Sequence, residues 1–355
     1  MVEQTETPFY QKLSFNLISI FLICIALIYG QSIILPILFS ILLANILLPF
    51  TGLLIKRKFN KSLSILVPLM LSIILGAAIL YFLSSQIVHF VDDIPALKSR
   101  INEVTHSFQV WFRKNTRITI TQQNLYFKET VNDLKDNAPE LMGSTFVSIT
   151  GILSYVVLMP IYTFLILYYR GTIKEFLIKV FKGGSEQQVA DILTQSTNVA
   201  QRYLTGLLIE TALVFTLNAI GFFILGIKYA IFLALLAALL NLIPYVGMLA
   251  ANVLCMIITL VSSEDASKVL WVGAILAFVQ LLDNNFGMPL IVGNKVRINA
   301  LVTIIGVLAA GALCGIPGMF LAIPGLAVLK VIFDNVPALQ PWGLLLGEKK
   351  NNGQK

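Results

Sequence analysis

Residues 278–330 read FVQLLDNNFGMPLIVGNKVRINALVTIIGVLAAGALCGIPGMFLAIPGLAVLK, and the fold turns on how this stretch is interpreted. A polar knot of Gln280, Asp283, Asn284 and Asn285 leads into an apolar run that carries no charge over 298–329. Water-soluble domains seldom leave so long a run uncharged, whereas a lipid-embedded helix needs about 20 apolar residues. Pro289, Pro317 and Pro324, together with Gly306, Gly311, Gly315, Gly318 and Gly325, interrupt what would otherwise be a plain spanning helix. Irregular backbone at membrane depth is tolerated only inside protein or beside a water-filled cavity. The stretch predicts an integral membrane protein whose C-terminal part is discontinuous and lines a pathway.

The rest of the 355-residue chain agrees, with 57% hydrophobic and 12% charged residues. Soluble domains average about 45–50% and about 25%. The net charge of +7 sits in short loops beside apolar runs, which encodes topology. No stripe of interleaved basic and aromatic residues appears, so a nucleic-acid partner is not expected. Cys24, Cys255 and Cys314 lie in apolar runs without CxxC spacing and read as inert buried thiols. The head of the chain carries Glu3 and Glu6, and no small-residue cleavage site follows Tyr29, so the first span is expected to be retained.

In chain order, 13–29 and 33–50 predict two spans joined by a three-residue turn, and 62–91 predicts a third. Between them, Lys56-Arg57-Lys58 and Lys61 mark a cytoplasmic loop, which by parity puts the N-terminus inside as well. The region 92–140 is charge-balanced and predicts a helical extracytoplasmic insertion. Within it, Ile94, Leu97, Ile101, Val104, Phe108 and Trp111 form an a/d seam, either within a hairpin or between protomers of a homo-oligomer. The C-terminal membrane domain spans 141–334, with cytoplasmic amphipathic helices over 170–205, and 335–355 is a cytoplasmic tail. Ser185-Glu-Gln-Gln188 fits a capping box in which Gln188 would reach back to the cap amide. A span at 203–227 follows, then an uncharged run divided by Pro244, then 269–282. Residues 298–313 and 316–333 form a last hairpin around Cys314-Gly-Ile-Pro317. The expectation is an all-α polytopic membrane protein of about eight spans, with broken or re-entrant helices in its C-terminal half.

The candidate site residues are Glu210, Asn241, Pro244, Gln280, Asp283, Asn284, Pro317 and Pro324. An acid near a helix centre costs about 2.5–3.5 kcal/mol to insert, so Glu210 is expected to face protein or water, or else to reach the interface near Arg202. Asn241 ends a half-helix just before Pro244, where amides and freed carbonyls could hold a cation or a hydroxylated ligand. Gln280, Asp283 and Asn284 fall on one helical face by i, i+3, i+4 spacing, either as a pathway mouth or as a solvated helix end. Ile243-Pro-Tyr-Val-Gly247 and Ile316-Pro-Gly318 echo one another, and paired interruptions of this kind point to a transporter's binding site. No HExxH, Walker loop, Gly-x-Ser-x-Gly or Cys-rich set is present, so neither an enzyme nor a bound cofactor or metal is predicted.

The chain also resembles the autoinducer-2 exporter family of permeases. The match runs through Gly226 with Tyr229-Ala230, Asn241-Leu-Ile-Pro244-Tyr-Val-Gly247 and Gln280-x-x-Asp283-Asn284-Asn285. It continues through Pro289-Leu-Ile-x-Gly293-x-x-Val296, Gly315-x-x-Gly318-Met, Ala322-Ile-Pro324 and Lys330, with weaker agreement at Leu48-Pro49 and Arg202-Tyr203-x-x-Gly206. Two positions depart from the family's pattern: Asn299-Ala300 stand where His-Pro is common, and Leu207 where a Gln is frequent. The resemblance implies a permease of the bacterial cytoplasmic membrane exporting a small polar signalling molecule such as autoinducer-2. Its partners would be that solute, H+ or Na+, membrane lipid and further copies of itself. Sodium or potassium/proton antiport is the alternative, and an oligomeric scaffold or receptor a third.

Overall fold

The computed structural model describes residues 9–92, 149–181, 185–244, 246–263, 265, 267–287 and 298–347. These residues are helical, and the pairing they make outside helices is one isolated antiparallel bridge, Ile298 with Gly347. The insertion predicted over 92–140, including its 94–111 seam, lies outside the described residues beyond Asp92.

The chain opens with α1, Phe9–Lys56, an unbroken helix of 48 residues. At 1.5 Å per residue it is about 72 Å long, more than twice a hydrocarbon core of about 30 Å. The turn expected between two spans is therefore absent: Gly30, Gln31 and Ser32 are all helical. A lone glycine costs a helix only about 1 kcal/mol, and no proline at this point removes an amide donor. The parity argument for a cytoplasmic N-terminus loses the crossing on which it depended. Pro36 and Pro49 lie inside α1. Beside Pro36 the Ser40 hydroxyl donates to the Pro36 carbonyl at 2.6 Å and meets the Met159 carbonyl at 2.9 Å, tying α1 to α3.

Helix α2, Lys61–Asp92, returns after a turn in which Lys58 takes a positive φ of 66°. Together with α3, Ile149–Tyr168, it builds a first core from Ala44, Leu47, Ile65, Leu69 and Leu167. The Lys61 ammonium sits 4.5 Å over the Tyr168 ring at one end of this bundle. Helix α4, Arg170–Val180, bends away from α3 by 71° and buries none of its residues. It exposes Ile173, Phe176 and Val180 beside Lys174 and Lys179, the make-up of a helix lying in a membrane interface.

Helix α5, Glu186–Ile224, runs for 39 residues. The amphipathic helix and the following span, expected as separate elements, are one. Ser185 caps it as expected, accepting from the Gln188 amide at 3.2 Å. The reciprocal half of the capping box does not form, because the Gln188 side chain donates to the Asn335 carbonyl at 2.9 Å instead. A tertiary carbonyl that needs a donor outcompetes the local cap.

Two helical hairpins follow. The first pairs α6, Ala230–Leu240, with α7, Val246–Ser262. It doubles back through the Pro244 break, so that the Cys255 thiol reaches the Leu233 carbonyl at 3.6 Å. Helix α8, Ser267–Leu282, passes into a π-helical turn at Asp283–Gly287. Phe222, Leu233, Ala234, Cys255 and Val272 are fully buried where α5–α8 meet. The second hairpin is α9, Ala300–Asn335, which folds back at Gly315 (φ 64°, ψ −152°). Gly306 comes to face Leu326, and Gly311 faces Met319, which only a hairpin allows. This matches the sequence expectation. Its first arm, 300–314, is about 22 Å long, shorter than a hydrocarbon core. The base is closed by the Ile298–Gly347 bridge and by α10, Gln340–Leu346.

The echo noticed in the sequence has a geometric meaning. Gly247 lies against the Leu240 carbonyl oxygen and Gly318 against that of Ala310. At both hairpin tips a side chain would collide with backbone of the outgoing helix.

Among the described residues α1, α2, α5 and α8 with its π-helical turn are long and apolar enough to cross a membrane, the bent α3–α4 pair is a further candidate, and α9 reaches that length only with both arms of its hairpin taken together. The expected eight divided α1 in two and counted α6 and α7, each shorter than a span. Phe15, Phe21, Leu71, Trp271 and Phe278 are exposed, and the span windows bury only 11–28% of their residues. This apolar exterior is a lipid-facing surface, and the protein is a multi-pass helical membrane protein.

Candidate functional site

One column of α5 turns inward. Tyr203, Gly206, Glu210, Val214, Asn218 and Phe222 recur every three or four residues and all are buried. Glu210 is 8% exposed, so its carboxyl faces protein and does not reach out toward Arg202, which is exposed.

The partner of Glu210 comes from α8. Asp283 opens the π-helical turn, and the altered winding carries its side chain inward to 5% exposure. There its carboxyl lies beside the Glu210 carboxyl and the Asn241 amide, close enough to interact with both. Asp283 Oδ1 has no protein partner. The solvated helix end considered for Asp283 is therefore excluded. The expected single polar face survives only in part: Gln280 Nε2 donates to Asn284 Oδ1 at 3.1 Å, but Asn284 is exposed while Asp283 turns away into the protein.

Asn241 caps α6 at the first hairpin tip. Pro244 lacks the amide that would have closed the next helical turn, and the tip is held by shorter bonds, Ile243 N to Leu240 O at 2.9 Å and Val246 N to Pro244 O at 2.7 Å. Just inside the tip is a small cavity of about 20 Å³. Asn218, Asn241, Asn252 and Gln280 line it, with apolar walls from Val214, Ala237, Met248, Ala251, Leu276 and Val279. The structure thus brings together Glu210, Asp283, Asn241 and Gln280 beside Pro244. Pro317 and Pro324 belong to the second hairpin and are not among the cavity's lining residues.

Sequence reasoning missed Asn218 and Asn252, and missed that Asp283 pairs with Glu210. The signal for Asn218 was present: it stands eight residues after Glu210, on the same face of one helix. Among the described residues no group of three or more His, Cys, Asp or Glu side chains gathers to hold a metal. The donors at the site are carboxyl and amide oxygens, suited to a proton, a hard monovalent cation or a hydroxylated solute.

A model of the AI-2E transporter family matches residues 17–338. The chain is similar to a candidate transport protein of Bacillus subtilis strain 168, YueF, at 25% identity over 81% of this chain and 79% of that one. A second candidate transport protein from the same strain, YrrI, is also 25% identical, over 85% of this chain and 86% of its own length. A candidate permease of Escherichia coli K12, PerM, is 21% identical over 79% of this chain and 80% of its own.

Proposed function

We propose, from the premise that the chain belongs to the AI-2E transporter family, that it is a secondary transporter of the bacterial cytoplasmic membrane. It moves a small polar, hydroxylated solute such as autoinducer-2 outward, driven by an ion gradient. The observation that carries this reading is the buried Glu210–Asp283 pair held against Asn241 at the tip of a broken-helix hairpin. Acids inside membrane spans are expensive and face pathways, and interrupted helices place polar backbone at such sites. In this mechanism a proton shared by the two carboxyls is the coupling ion. Its loss leaves two like charges in contact, which favours a rearrangement that separates α8 from α5 and opens the hairpin tip to the other side. The second hairpin, clamped at its base, moves with the cytoplasmic end of α5 through the Asn335 bonds to Gln188 and Gln195.

A second reading, sodium or potassium/proton antiport, is favoured by one specific observation. Antiport sites use more than one buried acid, and Asp283 supplies the second beside Glu210. Proteoliposome flux separates the two. Wild-type protein is expected to release loaded autoinducer-2 under an imposed proton gradient, and Glu210→Gln is expected to abolish this while still folding. Sodium–proton exchange without solute movement would move antiport to first place, and no flux of either kind would overturn both.

A further inference from the structure

The amides around the cavity are not randomly oriented. Asn241 lines the cavity beside the Asp283 carboxylate, which an amide meets through its N–H groups, so its Oδ1 is directed away from the acid. Gln280 spends Nε2 on Asn284 Oδ1, which leaves its Oε1 as well. Asn218 is 2% exposed, lines the cavity, and its Oδ1 has no partner. Three side chains from α5, α8 and the first hairpin tip therefore bring amide oxygens to one space, and the Gln280 nitrogen is engaged elsewhere. A buried acceptor without a donor costs about 1–3 kcal/mol, so a native structure supplies it with an occupant.

The volume narrows the choice. About 20 Å³ admits a single water-sized body and excludes a sugar-sized solute in this conformation. No cationic side chain lines the cavity, and amide carbonyl oxygens attract a cation. The set contains no thiolate or imidazole and too few charges for a divalent ion. Asn252, from α7, completes the lining.

We infer that this cavity is a binding site for a dehydrated small alkali cation, of sodium size, coordinated by Asn218 Oδ1, Asn241 Oδ1 and Gln280 Oε1. The site adjoins the carboxyl pair without being part of it. Asn241 touches both, so filling the cavity bears on the group that holds Asp283 in place. This rests on the transport reading and adds a second ion beside its coupling proton, and the binding test uses neither solute nor gradient, so the two readings fail separately.

The test is thermal unfolding of the purified full-length chain in detergent, at constant ionic strength, titrated with NaCl, LiCl, CsCl or choline chloride. Sodium is expected to raise the melting temperature saturably, with cesium and choline inert. Asn218→Leu is expected to raise the half-saturating sodium concentration at least tenfold, and Asn218→Asp, which restores the oxygen with a charge, to lower it below wild type. If Asn218→Leu fails to fold, the wild-type cation series and Asn218→Asp decide. Equal responses to all four salts, or an Asn218→Asp half-saturation unchanged from wild type, would overturn the proposal and leave an enclosed water as the occupant.

Discussion

Alanine at Gly247 probes the hairpin tip directly. A Cβ built there overlaps the Leu240 carbonyl oxygen and comes within 3.3 Å of the Ile243 Cβ. The first of these is backbone, so no rotamer change relieves it and α7 must move away from α6. Overpacking of this kind costs about 1–3 kcal/mol. Gly76 in α2 is the control, with nothing within 4 Å of the same added atom. There alanine is expected to stabilise by about 0.5–1 kcal/mol, since glycine is the poorer helix former. The two substitutions, chemically identical and both in membrane helices, should differ by about 1.5–4 kcal/mol, and 2 kcal/mol is about a thirty-fold change in the folded-to-unfolded ratio. The assay is the fraction of monodisperse protein surviving a heating series in detergent, read by size-exclusion chromatography. Gly247→Ala should fail at lower temperature than wild type and Gly76→Ala should match or exceed it. Indistinguishable survival of the two variants would refute the close approach at the tip.

Glu210→Gln and Asp283→Asn should each abolish gradient-driven flux, and the double variant should be no worse than either, because the carboxyls act as one unit; additive partial losses in proteoliposome flux would contradict this. Ser185→Ala should lower stability by about 1 kcal/mol through loss of the α5 cap, visible as a reduced melting temperature, with flux retained. Cys255 is fully buried and should resist maleimide until the protein is denatured, scored by mass spectrometry. Asp265 is held below its ordinary value by the Ser267 hydroxyl and amide, so its contribution to the turn before α8 is present above the ordinary aspartate range and lost as pH falls through the depressed value. Asp265→Asn should remove that acid sensitivity from a pH series of melting temperatures.

Legibility followed the kind of signal each element leaves. Gly315 with Pro317, and Pro244 between two apolar runs, announced both hairpins because a missing amide or a positive φ acts within a few residues. The Ser185 cap was equally local. The continuity of α1 was not legible, since Gly30-Gln31-Ser32 suits a turn or a helix and packing decides. The fate of Gln188 depended on a carbonyl 147 positions away. At the site, Glu210 stood out as a charge in an apolar run. Asp283 sat at the edge of one, where burial and solvation read alike, and only the π-helical turn settled the matter. Asn218 and Asn252 are neutral and short, and a single amide in a long apolar run looks the same whether it lines a cavity or bonds to a neighbouring helix.

The antiparallel bridge between Ile298 and Gly347 has a consequence for biosynthesis. The Asn299 amide, which opens the second hairpin, donates to the Leu346 carbonyl at 2.8 Å, and Lys330 reaches both Asp334 and the Gly343 carbonyl. On the ribosome, the hairpin's two arms leave the exit tunnel well before the residues that fasten them. The base stays open until Gly347 has been translated and released, so the last segment of the described chain is the buckle of an element begun almost 50 residues earlier. A stop codon after Asn335 would leave both arms made and the buckle missing.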